Sequence, residues 1–291
     1  MTYVVAGVSG NTGSVVADTL LSQKKSVRVI VRDEAKGSKW KARGAEVAVA
    51  SLDDEKALTL ALQGAEGAYL LLPPFAFGAT NVVEGHHRTI DAIARAIAAS
   101  GVRHVVFLSS IGAQHDKGTG PIASLAYAEK KLRSLKTPIT FLRASYFVEN
   151  FAASFAGLPH GVLPTNLTAD RAIPMVSTKD IGLNAGRLLL EPASETRTFE
   201  LAGPIDLTPN AVAEAVSKIT DKKVALAASP ADASMVKTLQ GYGASAEVAE
   251  LYREMTDAVN QGVVDWAPSG TTKLRGKTPV EETLRGLLQK S

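Results

Sequence analysis

The chain has 291 residues, with 45% hydrophobic and 21% charged side chains, the composition of a globular protein with a substantial core. Its net charge of +3 is spread along the chain, and no clustered basic face of the kind that binds nucleic acid is present. There is no cysteine, which excludes disulfides, cysteine–zinc sites and thiol nucleophiles.

Tyr3 to Ala6 is a short apolar run that favours a strand. Gly7-x-x-Gly10-x-x-Gly13 follows, and residues 14–21 then place apolar side chains at helical intervals. Strand, glycine turn and helix form the context of a dinucleotide site. The turn needs glycine so that a phosphate can approach the main chain, and the helix N-terminus offers unpaired N–H groups to a pyrophosphate. Gly7, Ser9, Gly10, Asn11, Thr12 and Gly13 are therefore candidate cofactor contacts. Residues 26–31 read as a second strand ending in Arg32-Asp33-Glu34-Ala35-Lys36. An acid at the end of this strand accepts from a ribose 2′-hydroxyl, whereas an arginine accommodates a 2′-phosphate. Arg32 and Lys36 predict NADP(H), and Asp33 leaves a ribose hydroxyl open as an alternative.

Residues 46–50 form a third strand, and Asp53 or Asp54 caps a helix through Leu62. Residues 67–72 are an apolar strand stopped by Pro73-Pro74. Residues 73–80 are a loop carrying Phe75 and Phe77, and a helix follows over about 83–99. Its neighbours His86 and His87 point about 100° apart, a poor geometry for a shared metal, and no metal is expected. Residues 102–108 form a fifth strand closed by Ser109-Ser110-Ile111-Gly112. The polar, glycine-rich stretch 114–122 reads as a mobile loop, residues 123–136 as a helix and 139–143 as a sixth strand.

This alternation predicts a Rossmann-type doubly wound parallel sheet over residues 1–150. Residues 151–291 are expected to form mainly a smaller C-terminal α/β substrate lobe, with about 178–201 returning to the first domain. Ligands in such sheets bind beyond the carboxyl ends of the strands. Leu72, Pro73 and Ser109 sit there as further cofactor candidates. Phe75, Phe77, Tyr146, Phe147 and Asn150 are candidates for stacking and orienting a flat aromatic substrate, with ordinary core packing as the alternative. No apolar run approaches the ~20 residues of a membrane helix. The first strand leaves no room for a secretory signal, so a cytoplasmic protein without a membrane partner is expected. Oligomeric state is open.

The glycine triad, Arg32, the strand ending in Pro73-Pro74 and Ser109-Ser110 resemble the NmrA-like branch of atypical short-chain dehydrogenases. Thr140-Phe141-Leu142-Arg143 leading to Phe147-Val148-Glu149-Asn150 is similar to the same group, as are Ser177-Thr178-Lys179-Asp180-Ile181-Gly182 and Leu274-Arg275-Gly276-Lys277-Thr278-Pro279. The resemblance implies an NADP(H)-binding fold. Members of the group include quinone reductases, triphenylmethane dye reductases and isoflavone-type reductases, and also regulators that bind the nucleotide without catalysis.

Short-chain dehydrogenases typically use Tyr-x-x-x-Lys, in which the lysine lowers the pKa of a proton-donating tyrosine. Tyr127 and Lys131 have that spacing and are the candidate catalytic pair. Against them, Leu125, Ala128, Leu132 and Leu135 define the buried stripe of the helix, and Tyr127 lies about 130° from its centre, which turns it toward solvent as an exposed tyrosine beside an exposed lysine. Matching Glu129 to the group's helix glutamate moves the expected pair to Pro121 and Leu125, which perform no acid–base chemistry. Two functions follow. One is an NADPH-dependent reductase of a quinone-like or other conjugated aromatic small molecule. The other is a non-catalytic NADP(H)-sensing regulator that binds a protein partner.

Overall fold

The computed structural model describes residues 1–191 and 193–290. β1 (Thr2–Val5) passes through the glycine turn to α1 (Asn11–Ser22) and back to β2 (Ser26–Val31). A 3-10 turn (Glu34–Gly37) and the short α2 (Ser38–Lys41) precede β3 (Glu46–Val49). Then come α3 (Glu55–Leu62), β4 (Ala65–Leu71), α4 (Val82–Ser100), β5 (Val105–Ser110), α5 (Ile122–Leu132) and β6 (Ile139–Ala144). The smaller lobe opens with β7 (Tyr146–Phe147), a 3-10 helix (Val148–His160), β8 (Val162–Thr165) and β9 (Met175–Val176). The chain returns to the sheet with α6 (Thr178–Leu190) and β10 (Arg197–Ala202). It completes the lobe with α7 (Pro209–Thr220), β11 (Ala225–Ala228), α8 (Ala233–Gly241) and α9 (Ala246–Gln261), and ends in β12 (Thr272–Arg275) and α10 (Val280–Leu288).

The main sheet has the order β12-β10-β6-β5-β4-β1-β2-β3, with every pair parallel. Order reverses between β1 and β4, so a crevice opens at their carboxyl ends. The pleat sorts the core by alternation. Val4, Ile30, Leu70, Phe107 and Phe141 face α3, α4 and α5. Val5, Val29, Tyr69, Val106 and Leu142 face α1 and α6. On that second face α1 and α6 approach closely, because Gly182 leaves no side chain where a Cβ would meet Val15 and lie 2.8 Å from the Thr12 carbonyl oxygen.

Three departures from the sequence reading have physical causes. β5 extends through Ser109 and Ser110, because both residues pair with β6 at Arg143 and Ala144. Residues 151–175 hold a 3-10 helix and short strands, whose periods are poorly marked in sequence; β8 and β11 pair only with each other. The stretch 114–122 is packed at its end and exposed over residues 116–118: Thr119 is fully buried, and Gly120, at φ +56°, packs so closely on α9 that a Cβ would collide with the Leu251 carbonyl oxygen.

One buried network holds the floor of the crevice. Arg143 of β6 and Glu129 of α5 are both almost wholly buried and form a bidentate pair, with Nε–Oε1 and Nη2–Oε2 distances of 2.8 Å each. Ser109 Oγ donates to Glu129 Oε1 at 2.7 Å, and Arg143 Nη1 donates to Gln114 Oε1 at 3.0 Å. Glu200 of β10 lies 3.7 Å from Arg143 and accepts from the Ala267 N–H and the Thr271 hydroxyl, at 3.1 Å each. Burial alone would lower the Arg143 pKa; the bonds and charge of Glu129, helped by Glu200, hold it above its ordinary value. Removing one partner of such a pair strands the other charge in the core. Glu129→Ala is expected to lower the unfolding free energy by about 3–5 kcal/mol, measured by urea titration; a loss below about 1 kcal/mol would show that the pair is not structural.

Candidate functional site

A cleft of about 970 Å³ lies at the carboxyl ends of β1, β2, β4, β5 and β6 and runs under the smaller lobe. At one end is the turn after β1. Gly7 takes φ +68°, and the Gly10 N–H closes the turn on the Gly7 carbonyl at 2.9 Å. A Cβ at Gly13 would collide with the Ala6 carbonyl oxygen, so α1 rests directly on β1. Gly10 caps α1 without a side-chain bond, and the first turn holds no acid. The orphan N–H groups of α1 thus open onto the cleft beside Ser9, Asn11 and Thr12. Thr12 is held from below by the Tyr69 hydroxyl at 3.0 Å, a phenol whose pKa burial drives far above its ordinary value.

Arg32 and Lys36 line the same end with Ser51, Leu52 and Asp53. Asp33 does not line it: its carboxylate caps the following 3-10 turn, accepting from the Ala35 N–H at 3.0 Å. Among the described residues neither Arg32 nor Lys36 forms an ion pair. Uncommitted N–H donors and two unpaired cations are the donor set that an anionic dinucleotide requires, so these residues fit the group. Leu72, Pro73 and Ser109 line the middle of the cleft, with Leu71, Pro74 and Ser110.

The other end is apolar and aromatic. Phe75, Tyr146, Phe147 and Asn150 line it; Phe77 does not, being partly exposed with its ring 6.4 Å from that of Tyr252. Phe75 packs on His86 at 5.3 Å and edge-on to Tyr252 at 5.9 Å. Burial pushes the Tyr146 phenol up to about 12, partly offset by its bond to Asn150. Burial likewise lowers the His86 pKa, with the Pro73 carbonyl as a partial offset, and neither ring nitrogen makes a hydrogen bond of normal geometry. Sequence reasoning missed Tyr252, Met255 and Val259, which reach the cleft from α9 at i, i+3 and i+7. It also missed Glu149 and Thr178, which line the same end.

Tyr127 and Lys131 are not brought to this cleft. The Tyr127 ring stacks on His87 at 3.9 Å and its hydroxyl donates to Asp91 Oδ1 at 2.9 Å. Lys131 pairs with the same Asp91 oxygen at 2.8 Å. Both thus face α4, while Pro121 and Leu125 of the same segment line the cleft. Gly13 too is absent from the lining and acts through packing.

The NmrA-like family model matches residues 1–284, and the chain belongs to that family. It is 30% identical over 226 residues to quinone oxidoreductase 2 of Escherichia coli (strain K12), covering 76% of this chain and 75% of the relative. It is 24% identical over 275 residues to the NAD(P)H azoreductase of Xenophilus azovorans, covering 92% of each. A solved structure of the E. coli NADPH-dependent quinone oxidoreductase complexed with NADPH superposes with a TM-score of 0.81, at 25% identity, over 99% of this chain and all of that one. Among the described residues no helix is long and apolar enough to cross a membrane.

Tyr127→Phe removes a hydroxyl committed to Asp91 on α4, and NADPH turnover is expected to stay within about twofold of wild type. Loss of turnover with intact NADPH binding, read by titration, would restore this tyrosine as the proton donor.

Proposed function

We propose that the protein reduces a quinone-like or other conjugated aromatic small molecule with NADPH. The coarser statement stands on the family and its relatives: the chain is an NADP(H)-dependent oxidoreductase. The observation that carries the finer reading is a continuous cleft, cationic at one end and aromatic at the other, with no acid–base pair between them among the described residues.

Arg32 and Lys36 would hold the 2′-phosphate, and the α1 N-terminus the pyrophosphate. NADPH bound there supplies the hydride. The protein's own part is to place a flat acceptor against the Ser109–Ser110 floor and to keep water from the ring faces. Phe75, Tyr146 and Phe147 supply the aromatic wall, and Asn150 offers an amide to an acceptor oxygen. A quinone that accepts hydride needs one proton, and solvent supplies it, giving hydroquinone and NADP⁺. The Tyr146 phenol, with its pKa near 12, remains a neutral hydrogen-bond donor at neutral pH. No observation favours the regulator reading.

Arg32→Ala removes a charge-assisted phosphate contact worth about 1.5–3 kcal/mol. KM for NADPH is expected to rise roughly 10- to 100-fold, with NADH use little changed, in steady-state assays against a neutral naphthoquinone. Wild-type enzyme using NADH as well as NADPH would contradict the Arg32 assignment. Tight NADPH binding without turnover on quinones, azo dyes, triphenylmethane dyes or enones would contradict the substrate class.

A further inference from the structure

We infer that the acceptor end of the cleft discriminates by charge: Glu149 excludes anionic acceptors, and the substrate is an uncharged or cationic conjugated ring system. The inference rests on the reductase reading and narrows its substrate.

Four lining residues carry formal charge: Arg32, Lys36, Asp53 and Glu149. The first three sit together beyond β2 and β3, where the dinucleotide phosphate would lie. From Leu71 to Val264 the lining contains no lysine or arginine, and Glu149 is its single carboxylate. The nearby buried cation, Arg143, is committed to Glu129 and faces Glu200, so it offers no balancing charge.

Glu149 is held firmly. Its Oε1 accepts from the Thr178 N–H at 2.9 Å and the Thr178 hydroxyl at 2.6 Å, at the N-terminus of α6. The helix end stabilises an anion there, which accounts for a carboxylate without a cationic partner. Its Oε2 is buried and has no hydrogen-bond partner. A buried, unpaired carboxylate oxygen is costly unless a donor or cation reaches it. The Ser145 hydroxyl, on the same wall, is also buried without a partner. A sulfonate or carboxylate entering here would be desolvated and would meet a like charge in a low-dielectric pocket. A delocalised cation would be attracted by that charge instead, and a neutral ring would meet no like charge.

The test compares a neutral naphthoquinone, its sulfonate and a cationic triarylmethane dye with wild type and Glu149→Gln. Glutamine keeps an oxygen to accept from Thr178 and removes the charge. KM is read with NADPH as donor. Equilibrium binding of the sulfonate and the cationic dye is read by absorbance titration with NADP⁺ in place, so that Arg32 and Lys36 are engaged. In wild type the sulfonate is expected to show a KM at least about tenfold above its neutral parent. E149Q is expected to weaken the cationic dye and tighten the sulfonate, each by roughly tenfold. Equal wild-type KM values for neutral and sulfonated quinone would overturn the inference without a variant. So would an E149Q protein that shifts both charged ligands in the same direction. If no acceptor is reduced, the reductase reading fails, and the titrations still decide the charge preference.

Discussion

The Arg143–Glu129 pair is the constraint on which the site depends. It is a desolvated charge pair inside the sandwich, and such a pair is tolerated only when every remaining valence is met. Meeting those valences draws in Ser109 from β5, Gln114 from the following turn and, through Glu200, the Ala267–Thr271 segment before β12. The ends of β5 and β6 are thereby fixed relative to α5 and to the far edge of the sheet. Ser109, at the floor of the cleft, lies at the end of this chain of bonds, and Ser110 follows it directly.

The cleft above that floor is divided electrostatically. Its cations and orphan N–H groups are concentrated beside α1, and its one carboxylate on the acceptor side sits at the start of α6. A dinucleotide laid along the cleft would satisfy the first end and leave the second for a flat ring. The face of α5 that would carry an acid–base pair shows Pro121 and Leu125 to this space, and its tyrosine and lysine are spent on Asp91. On the proposed reading this arrangement would provide proximity and orientation, with solvent as the proton source.

The end of the cleft beside α1 was legible because its requirements are local. A turn that must admit a phosphate and seat α1 on β1 needs glycine at fixed positions, and Arg32 follows its strand directly. The helical stripe turns Tyr127 away from the buried face toward solvent, but the structure packs it half-buried on α4, stacked on His87 and bonded to Asp91, partners that only the tertiary fold supplies. The substrate half depends on chain segments far apart. Tyr252, Met255 and Val259 form a plain helical stripe whose facing surface only the tertiary fold assigns. Phe77 was grouped with Phe75 by proximity in sequence, yet only Phe75 reaches the cleft. β12, Thr272–Arg275, has the polar composition of an edge strand and is identified by its pairing with β10. Glu129 lies at the edge of the stripe that the α5 sequence defines, and its burial follows from Arg143, which only the tertiary fold brings to it.

The central claim is that reduction in this cleft uses no protein acid. The most direct measurement is the pH dependence of single-turnover NADPH oxidation by a neutral naphthoquinone. Burial pushes the Tyr146 phenol up to about 12, raises Tyr252 and lowers His86, so it moves each of these groups away from the slightly alkaline window. A rate constant that is flat between about pH 7 and 9 is the expected result. A tenfold fall per pH unit within that window, abolished by replacing one lining residue, would identify a protein proton donor and contradict the account.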